Sequence, residues 1–362
     1  MKISMFTSSK GWGGLERNLV VMARWMAEAG HAVQLGAHPQ SPVARQAPDL
    51  LPPDTVHAVA TPRQLTRWVG NSDLLWIRDP RDLRAAAAVS RRTGVPLVVQ
   101  QAMQLATPKT KPWHKRRYAM VAAWVSGLEW LATQAAAHTP LPPSRCHVIP
   151  LPLEASWFGP KPQARDALRT RLGLPTDTAL VGTVGRLDPG KGQRVLLESL
   201  PLLPEHVHAV WVGSNTVDTG VDERAWLENR ALELGLASRI HWVPETSNVR
   251  DHVDCLDVFA MTSKAETIGT VTLEAMARRV PVVGSRSGGT AELLGHDRGL
   301  LFTPESPSDL AEKVRTALDM GDGARQAMGD RAEMWAQKSR AEFVVPAWNN
   351  LLASVAREGR TA

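Results

Sequence analysis

Leu180-Val181-Gly182-Thr183-Val184-Gly185-Arg186-Leu187-Asp188-Pro189-Gly190-Lys191-Gly192 is an apolar run that stops at a glycine, passes two cations through a turn and opens into an amphipathic stretch. A strand feeding a glycine turn and then a helix is the unit from which helix-covered parallel sheets are built. Free amides at the start of such a helix, together with its dipole, favour an anion, so a phosphate fits here between Arg186 and Lys191, with Gly185 allowing close approach of the backbone. The spacing nearly matches a Walker A loop. Gly192, however, stands where a hydroxyl residue would hold magnesium, which argues against an ATPase. A plain glycine turn is the competing interpretation, and the two bracketing cations weigh against it.

Outward from this loop, short apolar runs alternate with amphipathic stretches along the whole chain, which predicts an α/β fold. Candidate strands in the first half cover 2–6, 32–36, 74–77, 97–100 and 147–149, with helices over 15–29 and 83–92. A second set covers 180–184, 207–212, 240–243, 258–261, 282–284 and 300–302. Between the sets, residues 150–162 carry four prolines and no helical period, as expected of a linker. Two Rossmann-like domains follow, at 1–155 and 156–338. The pattern is helical after Asp322, with Trp335, Phe343, Val344, Trp348 and Leu351 spaced for burial, and the segment 339–362 is expected to pack back on the first domain.

The second chemical constellation is Glu266-Thr267-Ile268-Gly269-Thr270-Val271-Thr272-Leu273-Glu274, again after a strand and running into a helix. Glu266 belongs to the loop and Glu274 to the helix, too far apart for a close acid/base dyad. Carboxylates accept hydrogen bonds from paired hydroxyls, as on a sugar or ribose, while the amides of Ile268, Gly269 and Thr270 suit a phosphate between them. Alone, two solvated glutamates would be an equal alternative.

Taken together, the G-R-L-x-x-x-K-G loop and the E-x7-E element, in this order and in one domain, resemble glycosyltransferase family 4, and in particular bacterial envelope-polysaccharide and lipopolysaccharide transferases. The resemblance extends to Gly288-Gly289-Thr290-Ala291-Glu292-Leu293-Leu294, to Gly299-Leu300-Leu301-Phe302 and, in the first domain, to the glycine loop Gly13-Gly14-Leu15-Glu16-Arg17. It implies a GT-B fold, two Rossmann-like domains facing each other across a cleft, with C-terminal helices closing the fold. The first domain would lie on the acceptor side and the second would bind the nucleotide sugar. The activity implied is transfer of a sugar from a UDP-, GDP- or ADP-linked donor to a glycan or glycolipid acceptor of the cell envelope, with retention of anomeric configuration.

By the same resemblance Arg186 and Lys191 neutralise the diphosphate, Glu266 binds hydroxyls of the transferred sugar, Glu274 binds the ribose, and Gly13 and Gly14 lie near the diphosphate. Fixed cations at a leaving diphosphate lower the barrier where charge develops. No Asp-x-Asp pair, common in metal-dependent sugar transferases, occurs in the sequence, so neither a metal nor a cofactor is expected. Gly11-Trp12-Gly13-Gly14 lacks the third glycine of a dinucleotide fingerprint, because Glu16 stands there, which argues against a dehydrogenase.

One position departs from the pattern. Val98-Val99-Gln100-Gln101-Ala102-Met103-Gln104 resembles a segment in which a histidine precedes Met-Gln and contacts the sugar near its reacting carbon; here that position is Ala102. An inactivating replacement, a variant in which Gln101 or Gln104 takes over, and a different alignment register are the alternatives, with His114 as a further candidate. A nucleotide-sugar-binding pseudoenzyme and a soluble-sugar synthase or phosphorylase on the same fold are the competing functions.

The 362 residues, 43% apolar and 22% charged, suit a globular two-domain chain. Cys146 and Cys255 lack zinc or redox spacing, so a reducing, cytoplasmic compartment is expected. Residues 2–6 are too short for a signal-peptide core, and the Ala-rich stretch 119–137, which contains Glu129, reads as a buried helix rather than a membrane span. A net charge of +6 favours an anionic partner. Lys109, Lys111, Lys115, Arg116 and Arg117 around Trp113 suggest peripheral contact with the inner face of an anionic membrane rather than with nucleic acid, a solvated helix end being the equal alternative. Of thirteen tryptophans, Trp12 and Trp113 are placed for stacking on a sugar, whereas Trp25, Trp124, Trp211 and Trp335 lie on apolar patterns and are expected in the core.

Overall fold

A computed structural model describes residues 1–161, 165–215 and 222–361; Pro162, the last residue of the proline-rich linker, and Ala362 lie outside the described residues. The chain divides into two compact units. The first is Met1–Pro152 with Ala341–Ala362, and the second is Leu153–Arg340.

Seven strands build the sheet of the first unit: β1 (Lys2–Thr7), β2 (Ala32–Ala37), β3 (Val56–Ala58), β4 (Leu74–Ile77), β5 (Leu97–Gln100), β6 (Val121–Ser126) and β7 (Cys146–Val148). Their spatial order is β3-β2-β1-β4-β5-β6-β7, and every pairing is parallel. Because β1 lies between β2 and β4, strand order reverses there, and loops leaving the carboxyl ends of β1 and β4 diverge to open a crevice. Ile3, Met5, Trp76 and Val98 face the helix Gly14–Glu28, while Leu75, Ile77, Leu97 and Val99 face the opposite core with Leu83, Ala86 and Tyr118.

The helix Ala341–Thr361 joins this first core. Trp348, fully buried, stacks on Trp76 with ring centroids 4.2 Å apart, and Asn349 Oδ1 lies 3.0 Å from His31 Nε2. Val344 is buried as expected, but Phe343 is exposed, because it lies one step round the helix from the Val344–Trp348 stripe.

The stretch 119–137 is not one helix. Val121–Ser126 forms β6, between β5 and β7, and the helix runs only over Glu129–His138. Val121, Ala123, Trp124 and Val125 are buried without the alternation of a half-exposed strand, since an interior strand of a parallel sheet is covered on both faces.

The second unit carries β8 (Ala179–Val184), β9 (Val207–Val212), β10 (Ile240–Val243), β11 (Val258–Met261), β12 (Val282–Ser285) and β13 (Leu300–Phe302) in the order β10-β9-β8-β11-β12-β13, again all parallel. Its switch point falls between β8 and β11, the two strands that carry the loops singled out above. Residues 157–160, within the proline-rich stretch, are held to this unit by Arg278. Its guanidinium grips Asp254 at 2.6 and 2.9 Å and donates to the carbonyls of Trp157 and Gly159 at 3.2 and 3.3 Å. Trp25, Trp124 and Trp211 are buried; Trp335 is half-buried between Arg298 and Lys338, each cation 4.0 Å from its ring.

Candidate functional site

In the second unit the loop after β8 is shaped by backbone that only glycine tolerates. Gly213, at φ +145°, passes so close to the carbonyl of Gly185 that an added Cβ would lie 2.0 Å from its oxygen. At Gly192, φ +71°, an added Cβ would lie 2.1 Å from the Thr262 carbonyl oxygen. Gly192 is therefore required by contact between the β8 and β11 loops, which also explains why no hydroxyl residue occupies that position. The loops are tied further by Thr262 Oγ1 donating to the Lys191 carbonyl at 3.0 Å and Lys264 N to the Gly190 carbonyl at 3.2 Å. Asp188 Oδ1 accepts from Gly190 N at 2.8 Å, and Gln193 Nε2 donates to the Arg186 carbonyl at 2.8 Å.

This framework brings Lys191 and Glu266 together although 75 residues separate them: Lys191 Nζ lies 2.8 Å from Glu266 Oε2. Ser263 Oγ donates to the same oxygen at 3.1 Å, and the Thr267 amide approaches Oε1 at 3.3 Å. The Glu266 carbonyl accepts from Gly289 N at 3.0 Å, which fixes the loop against the Gly288–Leu294 helix. Arg186 is exposed, and its guanidinium bonds to no described residue.

Gly269, at φ +72°, precedes the helix Thr270–Ala277; Ile268 is buried beneath the turn and Thr270 is half-buried. Glu274 projects from this helix without a hydrogen bond or ion pair to any described residue, and burial pushes its carboxyl up to about 7. Thus Lys191 and Glu266 meet, Arg186 stands free, and Glu274 is a separate, half-buried acceptor. Thr262, Ser263, Gln193 and Gly213 were missed by sequence reasoning. Only Gly213, a glycine directly after a strand, carried a signal that could have found it.

The first unit places its glycine loop at the carboxyl end of β1. Glu16 organises it, accepting from Ser9 Oγ through one oxygen and from Gly13 N at 2.8 Å through the other. Beside it lie three groups that the sequence did not reveal, Arg78, Asp79 and Asp82, all 2% exposed or less. Burial lowers Arg78 to about 10 despite the nearby Glu16 charge, and raises Asp82 to about 6 against hydrogen bonds from Ser8. A charged Arg78-Asp79-Pro80-Arg81-Asp82 run after an apolar strand was the available signal.

Ala102 is half-buried after β5. Gln101 is buried and engaged within the unit: its Oε1 accepts from Trp124 Nε1 at 2.9 Å and Ser126 Oγ at 2.8 Å, and its Nε2 donates to the Met103 carbonyl. Gln104 and the half-buried His114 remain as candidates. Trp113 is 49% exposed beside Lys111, whose Nζ lies 5.0 Å from its ring, and Trp12 is half-buried with the Arg17 guanidinium 5.8 Å from its ring. No helix among the described residues is long and apolar enough to cross a membrane.

Two family descriptions account for most of the chain: Glycosyltransferase Family 4 matches residues 12–157 and Glycosyl transferases group 1 matches residues 164–335. The chain belongs to glycosyltransferase family 4. A D-inositol 3-phosphate glycosyltransferase of Xylanimonas cellulosilytica is 36% identical over 52% of this chain and 46% of its own length. A Bacillus subtilis protein named, provisionally, as the teichuronic acid biosynthesis glycosyltransferase TuaC is 32% identical over 46% of this chain and 40% of its own. The matches therefore span less than half of these relatives. Among solved structures, Anabaena HepE in complex with UDP superposes with a TM-score of 0.83 at 22% identity, over 98% of this chain and 100% of that one. WaaG, described as a glycosyltransferase involved in lipopolysaccharide biosynthesis, gives 0.71 at 19% identity, over 97% and 99%. The fold is GT-B.

Proposed function

We propose that this chain transfers a sugar from a nucleotide-diphosphate donor to a cell-envelope glycan or glycolipid, with retention of configuration and without a metal ion. The observation that carries this is the contact between Lys191 and Glu266 on the glycine-shaped loops at the β8/β11 switch point, with Arg186 free beside them. HepE, on the same fold, is described in complex with UDP-glucose.

In this reading the donor's diphosphate lies between Arg186 and Lys191, and the sugar's hydroxyls replace Lys191 as partners of Glu266. Breaking the glycosyl–phosphate bond then concentrates negative charge beside these two cations. Glu274, half-buried and without a hydrogen bond to any described residue, accepts from the ribose hydroxyls. The exposed Trp113 and its lysines and arginines suit a cytoplasmic protein resting on an anionic membrane face.

Calorimetry with UDP, GDP and ADP tests the site. The nucleotide that binds should lose affinity on Lys191→Ala by the worth of a charge-assisted contact, about 1.5–3 kcal/mol. Unchanged affinity for all three would reject the assignment, and an inverted anomer in the NMR spectrum of the product would reject retention.

A further inference from the structure

Two buried, uncharged side chains around the β8/β11 loops take no part in the transfer chemistry above, yet each ends on the backbone of one of the two cations. Gln193, 2% exposed, donates through Nε2 to the Arg186 carbonyl at 2.8 Å. Thr262, 3% exposed, donates through Oγ1 to the Lys191 carbonyl at 3.0 Å. The pairing is one to one and comes from two sides: Gln193 opens the helix Gln193–Ser199, whereas Thr262 directly follows β11.

The main chain alone does not hold these two positions. In the peptide joining Arg186 to Leu187, the N–H donates to the Ser214 carbonyl at 2.9 Å, while the C=O is bonded by the Gln193 side chain. In the peptide joining Lys191 to Gly192, the N–H makes a long bond to the Pro189 carbonyl at 3.4 Å, and the C=O is bonded by Thr262. A peptide is planar, so fixing both of its polar ends fixes the plane, and with it the direction in which the preceding side chain leaves the backbone. Gln193 is also only half satisfied: its Oε1 is sealed from solvent and bonds to no described residue. An unmade buried acceptor is destabilising, so a methionine of the same length would suit the fold at least as well. What the amide adds is its contact with Arg186.

We propose that Gln193 and Thr262 are positioning residues for the donor's diphosphate, Gln193 acting through Arg186 and Thr262 through Lys191. Both assignments rest on the reading of these cations as partners of the diphosphate, and deepen it by naming what aims each one. Long cationic side chains lose rotamer freedom when they grip a ligand, and a fixed backbone beneath them lessens that loss.

Gln193→Met and Thr262→Val delete the two donors while leaving side chains of similar size. Calorimetry on the full chain, with whichever of UDP, GDP and ADP binds it, should show each variant weakened about fivefold. Crossed double-mutant cycles then separate positioning from general support of the fold. Gln193→Met should cost less than about twofold once Arg186 is replaced by alanine, and keep its full effect when Lys191 is replaced instead. Thr262→Val should behave the other way round. Should either variant fail to fold, Gln193→Leu and Thr262→Ala repeat the cycles. Unchanged affinity in the single variants, or equal losses in the two backgrounds, overturns the proposal. If no nucleotide binds, or if Arg186→Ala and Lys191→Ala themselves leave affinity unchanged, the diphosphate reading falls and takes this proposal with it. If those two weaken binding while the cycles are additive, the positioning roles alone fall.

Discussion

Glu274→Gln should make the protein more stable, and increasingly so as the pH is raised. Burial lifts the Glu274 carboxyl from 4.5 to about 7, with no cation or donor among the described residues to offset it. The folded chain thus retains a proton that the unfolded chain has released, and stability falls as pH climbs from 4.5 towards about 7. At about 1.4 kcal/mol per pH unit the full penalty is about 3 kcal/mol, of which about 2 kcal/mol should accrue between about pH 5.5 and about pH 8.5. Glutamine keeps the shape without the charge, so urea unfolding of the wild type and the variant should diverge by that amount over that interval. A carbon-13 titration of the glutamate carboxyls checks the midpoint directly. A difference that stays constant with pH, or a variant less stable than wild type at about pH 8.5, would refute the reasoning.

Gly192→Ala should destabilise the second unit by about 1–3 kcal/mol, because the methyl group meets the Thr262 carbonyl at 2.1 Å in left-handed backbone. Gly190→Ala, whose nearest obstacle is the Asp188 carboxylate at 3.2 Å, should cost much less, and equal melting temperatures for the two variants would count against this account. Glu266→Ala should spare nucleoside-diphosphate affinity in calorimetry while sharply reducing sugar transfer, since it releases Lys191 but removes the hydroxyl acceptor; loss of diphosphate binding would reject that division of labour. Trp348→Ala should cost about 3–5 kcal/mol by removing the ring stacked on Trp76, read as early unfolding of the first unit, and a melting temperature like wild type would contradict it.

Most of the strands were legible because their apolar runs end in glycine or proline, as at Val184-Gly185 and before Val282. β3 escaped notice because Val56-His57-Ala58 is a three-residue edge strand without an apolar run. β6 was taken for part of a helix because alanine favours helices, and only burial on both faces, a tertiary fact, makes 121–126 a strand. In the candidate site the residue types were readable, but not their pairing. Lys191 and Glu266 are neighbours only because β8 and β11 adjoin at the switch point. The Arg78-Asp79-Pro80-Arg81-Asp82 run went unread, since nothing local to it indicates that Glu16 and Ser8 will lie beside it.

The first unit is discontinuous in sequence: its sheet is complete by Val148, but the helix that covers Trp76 begins only at Ala341, after the whole second unit. A ribosome must therefore make about 190 further residues before that face can close, roughly ten to forty seconds at ordinary elongation rates. Throughout that interval the second unit, contiguous in sequence, is free to fold, while the nascent first unit carries an uncovered indole surface. That surface is where a chaperone would bind during synthesis, and it makes assembly of the first unit a late, long-range event whose speed is set by loop closure rather than by local helix formation.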